Sequence, residues 1–257
     1  MRRGYGILYV LTVLSAKHGK LRLLTRLAVA RRAVMWHLTR QITERKSLAD
    51  DRFHSPPHHD VTKFPIIDAM LKVAREDFVP VARREAAYLG ENISLGEGRV
   101  LLEPRTLAKM LDDLGVENDE LVLDIGCGYG YSSAVIAHMA EAVVAVEDDE
   151  QMAKEAQETL INADIDNVIV HHGPLAEGAQ QHGPYDVVIV QGGVADVPEA
   201  LLAQLKDGGR IACLFMDGPL GEVRLGYKSE RGISWRKSFN AAAPVLDGFT
   251  RAKEFQL

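Results

Sequence analysis

The residues best placed to do chemistry follow one another in a single stretch, Leu121-Val-Leu-Asp-Ile-Gly-Cys-Gly-Tyr-Gly130, where an apolar run meets three alternating glycines. Alternating glycines let a ligand approach the backbone closely, and a helix that starts just after them offers N–H groups with no partner inside the helix. Such a turn suits a nucleotide-like ligand. A dinucleotide fingerprint, G-x-G-x-x-G, needs a glycine at position 131 for tight helix packing, and Tyr131 stands there instead.

Two acids narrow the ligand further. Asp124, two residues before the first glycine, would repel a pyrophosphate and suits a cationic amino-acid moiety such as the ammonium of S-adenosylmethionine. Glu147 closes the next apolar run, Val143-Val-Ala-Val146, 21 residues after Gly126, where it can accept hydrogen bonds from both hydroxyls of a ribose. Each also has a plainer reading, Asp124 as a buried and satisfied carboxylate and Glu147 as an ordinary acid at a strand end. Their joint spacing favours the cofactor.

These residues need strands that end side by side. Apolar runs predict strands at 121–125, 142–146, 168–171, 186–190 and 210–216, with helices near 131–140, 149–163 and 198–205 between them. That alternation predicts a Rossmann-like α/β domain with a doubly wound, mostly parallel sheet. After Gly218-Pro219, residues 222–228 and 233–239 read as antiparallel strands around a turn at Ser229-Glu-Arg-Gly232. Upstream, Ile66, Ile67, Met70, Leu71 and Val73 follow a helical rhythm, and 104–114 is a helix with proline in its first turn.

Ligands in open α/β sheets sit at the carboxyl ends of the strands. The third end, His171-His-Gly-Pro-Leu175, and the fourth, Val190-Gln-Gly-Gly193, should therefore complete the crevice. The expected cofactor site comprises Asp124, Gly126, Cys127, Gly128, Tyr129, Tyr131, Glu147, Asp148, Gly173, Pro174, Leu175 and Gln191. No metal is expected: His171 and His172 read as a strand-end pair, and His54, His58 and His59 as a solvated linker without partner cysteines. No Asn/Asp-Pro-Pro-aromatic motif, used by adenine and glutamine amide methylators to hold a nitrogen acceptor, follows the fourth strand.

Composition sets the frame. An apolar fraction of 47% and a charged fraction of 26% in 257 residues exclude wholesale disorder and a polytopic membrane protein. Cys127 and Cys213 lie far apart in apolar runs, which excludes a disulfide framework and suits a reducing cytoplasm. Residues 1–47 hold eleven Lys or Arg and one acid, Glu44, leaving 19 of the chain's 30 basic and 35 of its 36 acidic residues to the remainder. So acidic a domain does not suit nonspecific nucleic-acid binding. The run Ile7–Leu14 is too short for a bilayer span of about 20 residues, and Lys-His-Gly-Lys after Ala16 is a poor cleavage context for an exported protein. Residues 21–40 could form a basic amphipathic helix for a membrane surface or an RNA; we read 1–59 as an extension and linker, and 60–257 as the catalytic domain.

From residue 61 onward the chain resembles the protein-L-isoaspartate O-methyltransferases, which methylate the abnormal α-carboxylate of isomerised aspartyl residues. The resemblance rests on Phe78-Val-Pro80, Ala87-Tyr88, Gly96-x-Gly98, Leu123-Asp-Ile-Gly-Cys-Gly-Tyr-Gly-Tyr131, Val146-Glu147, Asn167-Val168, Glu177-Gly178, Pro184-Tyr-Asp186 and Gln204-Leu-Lys-x-Gly-Gly-Arg210. It implies S-adenosylmethionine as cofactor and an isoaspartyl protein or peptide as acceptor. Two departures fall in the site. Where the family reads Gln-Thr-Ile-Ser-x-Pro, with a serine that contacts the acceptor, this chain reads Arg99-Val-Leu-Leu-Glu-Pro104 and places Leu102 at the serine. The family's Gly-Asp, whose acid helps hold adenine, is Gly173-Pro174 here.

The missing hydroxyl removes a contact without removing the chemistry. A carboxylate acceptor with a pKa of about 3.5 is already a nucleophile at neutral pH and needs no general base. Losing one hydrogen bond costs about 1 to 3 kcal/mol, roughly ten- to hundredfold in rate. Ser94, Arg99 and Glu103 are the nearby candidates for a substitute contact. Two readings stay open: a carboxyl methyltransferase of the isoaspartate-repair type, or a methyltransferase-fold protein that binds the cofactor but turns over weakly, regulates, or uses another acceptor.

Overall fold

Strands of a parallel sheet covered by helices need nearly continuous apolar sequence, and this chain supplies it in its central strands, while the edge strand Val168–His172 is half-exposed. The structure, a computed structural model, describes residues 63–251. In it Leu121–Ile125 (β3), Ala142–Glu147 (β4), Val168–His172 (β5), Tyr185–Val194 (β6) and Leu205–Phe215 (β7) run parallel. Gly221–Ser229 (β8) and Gly232–Ala241 (β9) add antiparallel strands around the expected turn, in the order β5-β4-β3-β6-β7-β8-β9. The helices are Lys63–Lys72 (α1), Pro104–Leu114 (α2), Tyr131–Ala137 (α3), Glu150–Asn162 (α4) and Glu199–Leu202 (α5). Leu123, Ile125, Val144, Val146, Val188, Val190, Ile211 and Cys213 join Leu201 and Phe249 in a core that excludes water. The chain builds outward from β3 through β4 to β5, then returns to the other side of β3 for β6, so strand order reverses at β3. That reversal opens a crevice at the carboxyl ends of the central strands.

A separate two-stranded hairpin lies outside this sheet. Ile93–Gly96 (β1) pairs with Arg99–Leu101 (β2) across Gly96, Glu97 and Gly98, all at positive φ. Alternating burial along β1 buries Ile93 and Leu95 and leaves Ser94 exposed, as a period of two requires.

Two expected helices end early. The one at 198–205 stops at Leu202, because the Gln204 side chain donates to the carbonyls of Glu177 and Ala200 and accepts from Ala179 N–H, while its backbone carbonyl takes the Tyr185 N–H. The chain is thereby committed to β7 five residues before Arg210. The one at 131–140 stops at Ala137, whose carbonyl receives the Asn167 amide at 2.9 Å. The basic segment 1–59, with His54, His58 and His59, lies outside the described residues. No helix among the described residues is long and apolar enough to cross a membrane.

Several motif residues far from the crevice hold the other end of the sheet. Arg210 donates to both carboxylate oxygens of Glu120, at 2.6 and 2.8 Å, and to the carbonyls of Leu114 and Gly115 that close α2. Asp186 accepts Leu121 N–H at 2.9 Å and the Lys206 ammonium at 2.8 Å. Partial burial opposes its charge, but the Lys206 and Leu121 donors outweigh that and hold the carboxyl below its ordinary value. A depressed carboxyl stabilises the fold above its unfolded pKa, near 3.9, and that gain is lost as pH falls through the lower folded value. We therefore expect Asp186→Asn to cost about 1 kcal/mol at pH 7 and progressively less toward pH 3, read as the difference in urea-unfolding free energy from wild type. A difference that stays constant across that range would refute the assignment.

Candidate functional site

The glycine turn is pulled onto the neighbouring strand before it reaches any ligand. Gly126 and Cys127 both donate to the Val146 carbonyl, at 2.8 and 3.2 Å, and Gly128 N–H donates to Glu147 Oε2 at 2.7 Å. Gly126 and Gly128 have φ of +77° and +59°, a region that side chains other than glycine rarely adopt. Space is a second reason for glycine. A Cβ at Gly126 would stand 2.9 Å from Arg99 Nη2, and one at Gly128 would stand 2.7 Å from Leu95 Cδ1. The hairpin's own side chains therefore lie directly over the turn.

Asp124 is fully buried at the end of β3, and both its oxygens are taken. Ser132 and Ser133, in the first turn of α3, each donate a hydroxyl to Oδ2 at 2.6 Å, and Gln191 from β6 donates its amide to Oδ1 at 2.8 Å. Burial raises this carboxyl's pKa, and the three donors oppose the rise. The bond to Gln191 spans the point where strand order reverses. Asp124 is thus a buried carboxylate with three side-chain donors. Three of the carboxylate's roughly four acceptor positions are thereby filled, and Oδ1 keeps one.

Glu147 is the second carboxylate taken fully out of solvent. Its Oε2 accepts Gly128 N–H and Arg99 Nη2, the latter at 2.8 Å, and its Oε1 accepts the N–H groups of Asp148 and Asp149 at 3.1 and 3.4 Å. Arg99 reaches Asp148 Oδ1 as well, through Nη1 at 3.0 Å, while its buried Nε has no partner. Burial pushes the Glu147 carboxyl upward, and the Arg99 charge works against that. Beside this pair opens a cleft of about 520 Å³, bordered by Leu95, Arg99, Tyr129, Asp148, Met152 and Leu246.

The remaining expected residues divide between this site and the frame around it. Tyr129 and Asp148 border the cleft. Cys127 is buried, with its thiol pKa pushed well up by burial and by the Glu147 and Asp124 charges. Tyr131 packs edge-on to Phe78, with ring centroids 5.9 Å apart, and the buried Arg75 guanidinium lies 4.8 Å from its centroid. Gly173 N–H donates to the Glu147 carbonyl at 3.0 Å, Pro174 follows it, and Leu175 enters the core. His172 meets the Asp148 carbonyl and His171 meets Gln181, both near the surface. No cluster able to hold a metal occurs among the described residues. Leu102 is 1% exposed, and its carbonyl receives Arg75 Nη2 at 2.7 Å.

Leu95, Met152 and Leu246 were missed in the sequence. Leu95 had a signal: Ile93-Ser-Leu95 alternates before Gly-Glu-Gly, the mark of a tight hairpin. Leu246 had none, because it arrives from a C-terminal segment that crosses β6 through Gly193 N–H to the Pro244 carbonyl and Leu246 N–H to the Gly193 carbonyl.

The model of the family "Protein-L-isoaspartate(D-aspartate) O-methyltransferase (PCMT)" matches residues 56–217. The chain belongs to this family. Among named relatives, the Vibrio parahaemolyticus protein-L-isoaspartate O-methyltransferase is 34% identical over 183 residues, which span 71% of this chain and 88% of that one. The Vibrio campbellii enzyme of the same name is 36% identical over 157 residues, 61% of this chain and 73% of that one. Two solved structures share the fold. One, a protein-L-isoaspartate O-methyltransferase, has a TM-score of 0.69 at 23% identity and matches 85% of this chain and 66% of that chain. The other, a candidate protein-L-isoaspartate O-methyltransferase from Plasmodium falciparum in complex with S-adenosyl-L-homocysteine, has a TM-score of 0.66 at 17% identity and matches 84% of this chain and 98% of that chain.

The donor set fits the cofactor expected of this family. The glycines keep their positions in the turn free of side chains, and the Glu147 carboxylate already receives an N–H donor from a side chain that a hydroxyl could replace. The integrity of the turn rests on Asp124. Asp124→Ala would strand two buried hydroxyls and an amide, and we expect it to lower unfolding free energy by about 2 to 4 kcal/mol, with Asp124→Asn costing roughly half as much. Urea denaturation measures both; a loss below 1 kcal/mol in the alanine variant would show that the three donors find other partners.

Proposed function

We propose that this chain transfers a methyl group from S-adenosylmethionine to the α-carboxylate of isoaspartyl residues in proteins or peptides. The family match across residues 56–217, which contains the glycine turn and Glu147, carries the proposal. When bound, the cofactor supplies a sulfonium methyl to a carboxylate oxygen in line with it, and leaves as S-adenosylhomocysteine. In this proposal Glu147 holds a ribose hydroxyl, the turn from Gly126 to Gly130 carries the amino-acid end, and Asp148, Gly173 and Pro174 border the base. Asp124 fixes the turn through Ser132, Ser133 and Gln191. No side chain needs to remove a proton, because the acceptor is ionised at neutral pH; the chain's contribution is to orient the oxygen and exclude water. A cytoplasmic setting suits two buried thiols, and the acidic balance of residues 48–257 speaks for a protein or peptide partner over a nucleic acid.

One observation favours the second reading, cofactor binding with slow turnover: the Leu102 side chain, at the family's serine position, is buried and offers an acceptor nothing. An assay with labelled S-adenosylmethionine, an isoaspartyl peptide and its normal aspartyl twin separates the two. A base-labile methyl ester should form on the isoaspartyl peptide alone. Cofactor binding without any ester would leave only the second reading. In the same preparation Glu147→Ala should weaken S-adenosylmethionine binding tenfold or more by calorimetry, and unchanged affinity would remove Glu147 from the cofactor site.

A further inference from the structure

The Glu147 carboxylate has no capacity left. A carboxylate offers about four lone-pair positions, and here Gly128, Asp148 and Asp149 N–H groups and the Arg99 guanidinium fill them. The three backbone donors are fixed by the turn and by the start of α4. Arg99 is the one donor that can leave, so a ribose hydroxyl and Arg99 compete for the same oxygen.

The hairpin makes that departure feasible. β1 and β2 form their own two-stranded sheet, and isolated pairs of this size are marginal by themselves. Arg99 opens β2 immediately after the turn, outside the seven-stranded sheet, so it can leave Glu147 and Asp148 by movement of its own side chain and the hairpin tip.

Electrostatics indicates what the released cation is for. Four carboxylates border the cleft, those of Glu97, Asp148, Asp149 and Asp247, and Arg99 is the only cation among the described residues lining it. An acceptor carboxylate entering here meets net repulsion unless a guanidinium receives it, and a guanidinium can bind a carboxylate through two parallel N–H groups. Arg99 lies three residues before Leu102, whose own side chain is buried. Of the other nearby polar residues, Ser94 lies on the face of β1 opposite Leu95, and Glu103 bears the wrong charge for a carboxylate. The unpartnered Nε of Arg99 is a further donor, buried beside the cleft and not yet used.

We infer that Arg99 binds the acceptor's α-carboxylate, and that it becomes available for this only when the cofactor's ribose displaces it from Glu147. The inference rests on the carboxyl methyl transfer proposed above. It gives the chain a substitute for the missing serine, and it fixes an order, cofactor first and acceptor second. Arg99 is in this view a substrate-positioning residue that also reports whether the cofactor is in place.

The test reads binding as well as turnover. A fluorescein-labelled isoaspartyl hexapeptide is titrated by anisotropy into the full chain with and without saturating S-adenosylhomocysteine, whose own affinity is measured by calorimetry. Wild type should bind the peptide at least tenfold more tightly when S-adenosylhomocysteine is present. Arg99→Gln should bind S-adenosylhomocysteine several-fold more tightly than wild type, bind the peptide at least tenfold more weakly in the complex, and show a raised peptide KM with kcat within about threefold. Arg99→Lys, which keeps the charge without the paired N–H groups, should fall between the two and provides the same comparison if the glutamine variant does not fold. Peptide affinity in Arg99→Gln within twofold of wild type would overturn the assignment. So would weaker S-adenosylhomocysteine binding in that variant, which would make Arg99 a cofactor ligand. A wild-type chain that binds the peptide in this order yet forms no ester would sink the methyl transfer and leave the binding role of Arg99 standing.

Discussion

Two carboxylates, Asp124 and Glu147, are carried wholly out of solvent at the ends of neighbouring parallel strands, and everything around the crevice is arranged to meet them. An unmet carboxylate in such a place would cost several kcal/mol. Asp124 is met by two serines of α3 and a glutamine of β6, so that one side chain ties together the strand before the turn, the helix after it and the strand across the reversal of order. Glu147 is met by three backbone N–H groups and Arg99, which binds the glycine turn to β4 and the hairpin to both. The two networks differ in character. The first consists of short side-chain bonds with no freedom. The second contains one replaceable member.

Much of this could be read in advance, because parallel strands buried on both faces leave long apolar runs in the sequence. The five strands, their alternation with helices and the placement of the glycine turn all follow from such runs. Helix ends were harder. The stops at Ala137 and Leu202 are set by Asn167 and Gln204, side chains from elsewhere that take up backbone groups a longer helix would have used. The acids at positions 124 and 147 were recognisable from type and spacing, but their partners were not. That Asp124 faces Ser132, Ser133 and Gln191 depends on how the turn bends, and that Arg99 reaches Glu147 depends on a hairpin folding back across a separation of 48 positions in the chain. Neither leaves a periodic trace.

The family motifs also sort by location in a way the sequence alone did not reveal. Asp186, Gln204, Lys206 and Arg210 cluster at the end of the sheet remote from the crevice, where they anchor strand starts and the close of α2. Resemblance there reports a shared scaffold. Beside the hairpin, Leu102 is held by its carbonyl against Arg75, with its side chain buried. At that position the side chain serves packing, and the nearest side chain that could receive a carboxylate stands three residues earlier, at Arg99.

Cys127 has a further consequence for a loop of this kind. If the turn carries the cofactor as proposed, it lies beside an alkylating agent, and a thiolate is among the best nucleophiles a protein can offer one. Burial and the adjoining Asp124 and Glu147 charges keep the proton on this sulfur, while its S–H points to the Gly128 carbonyl at 3.6 Å. Burial first, and the two acids after it, thus favour the unreactive thiol over the thiolate in the tightest part of the loop.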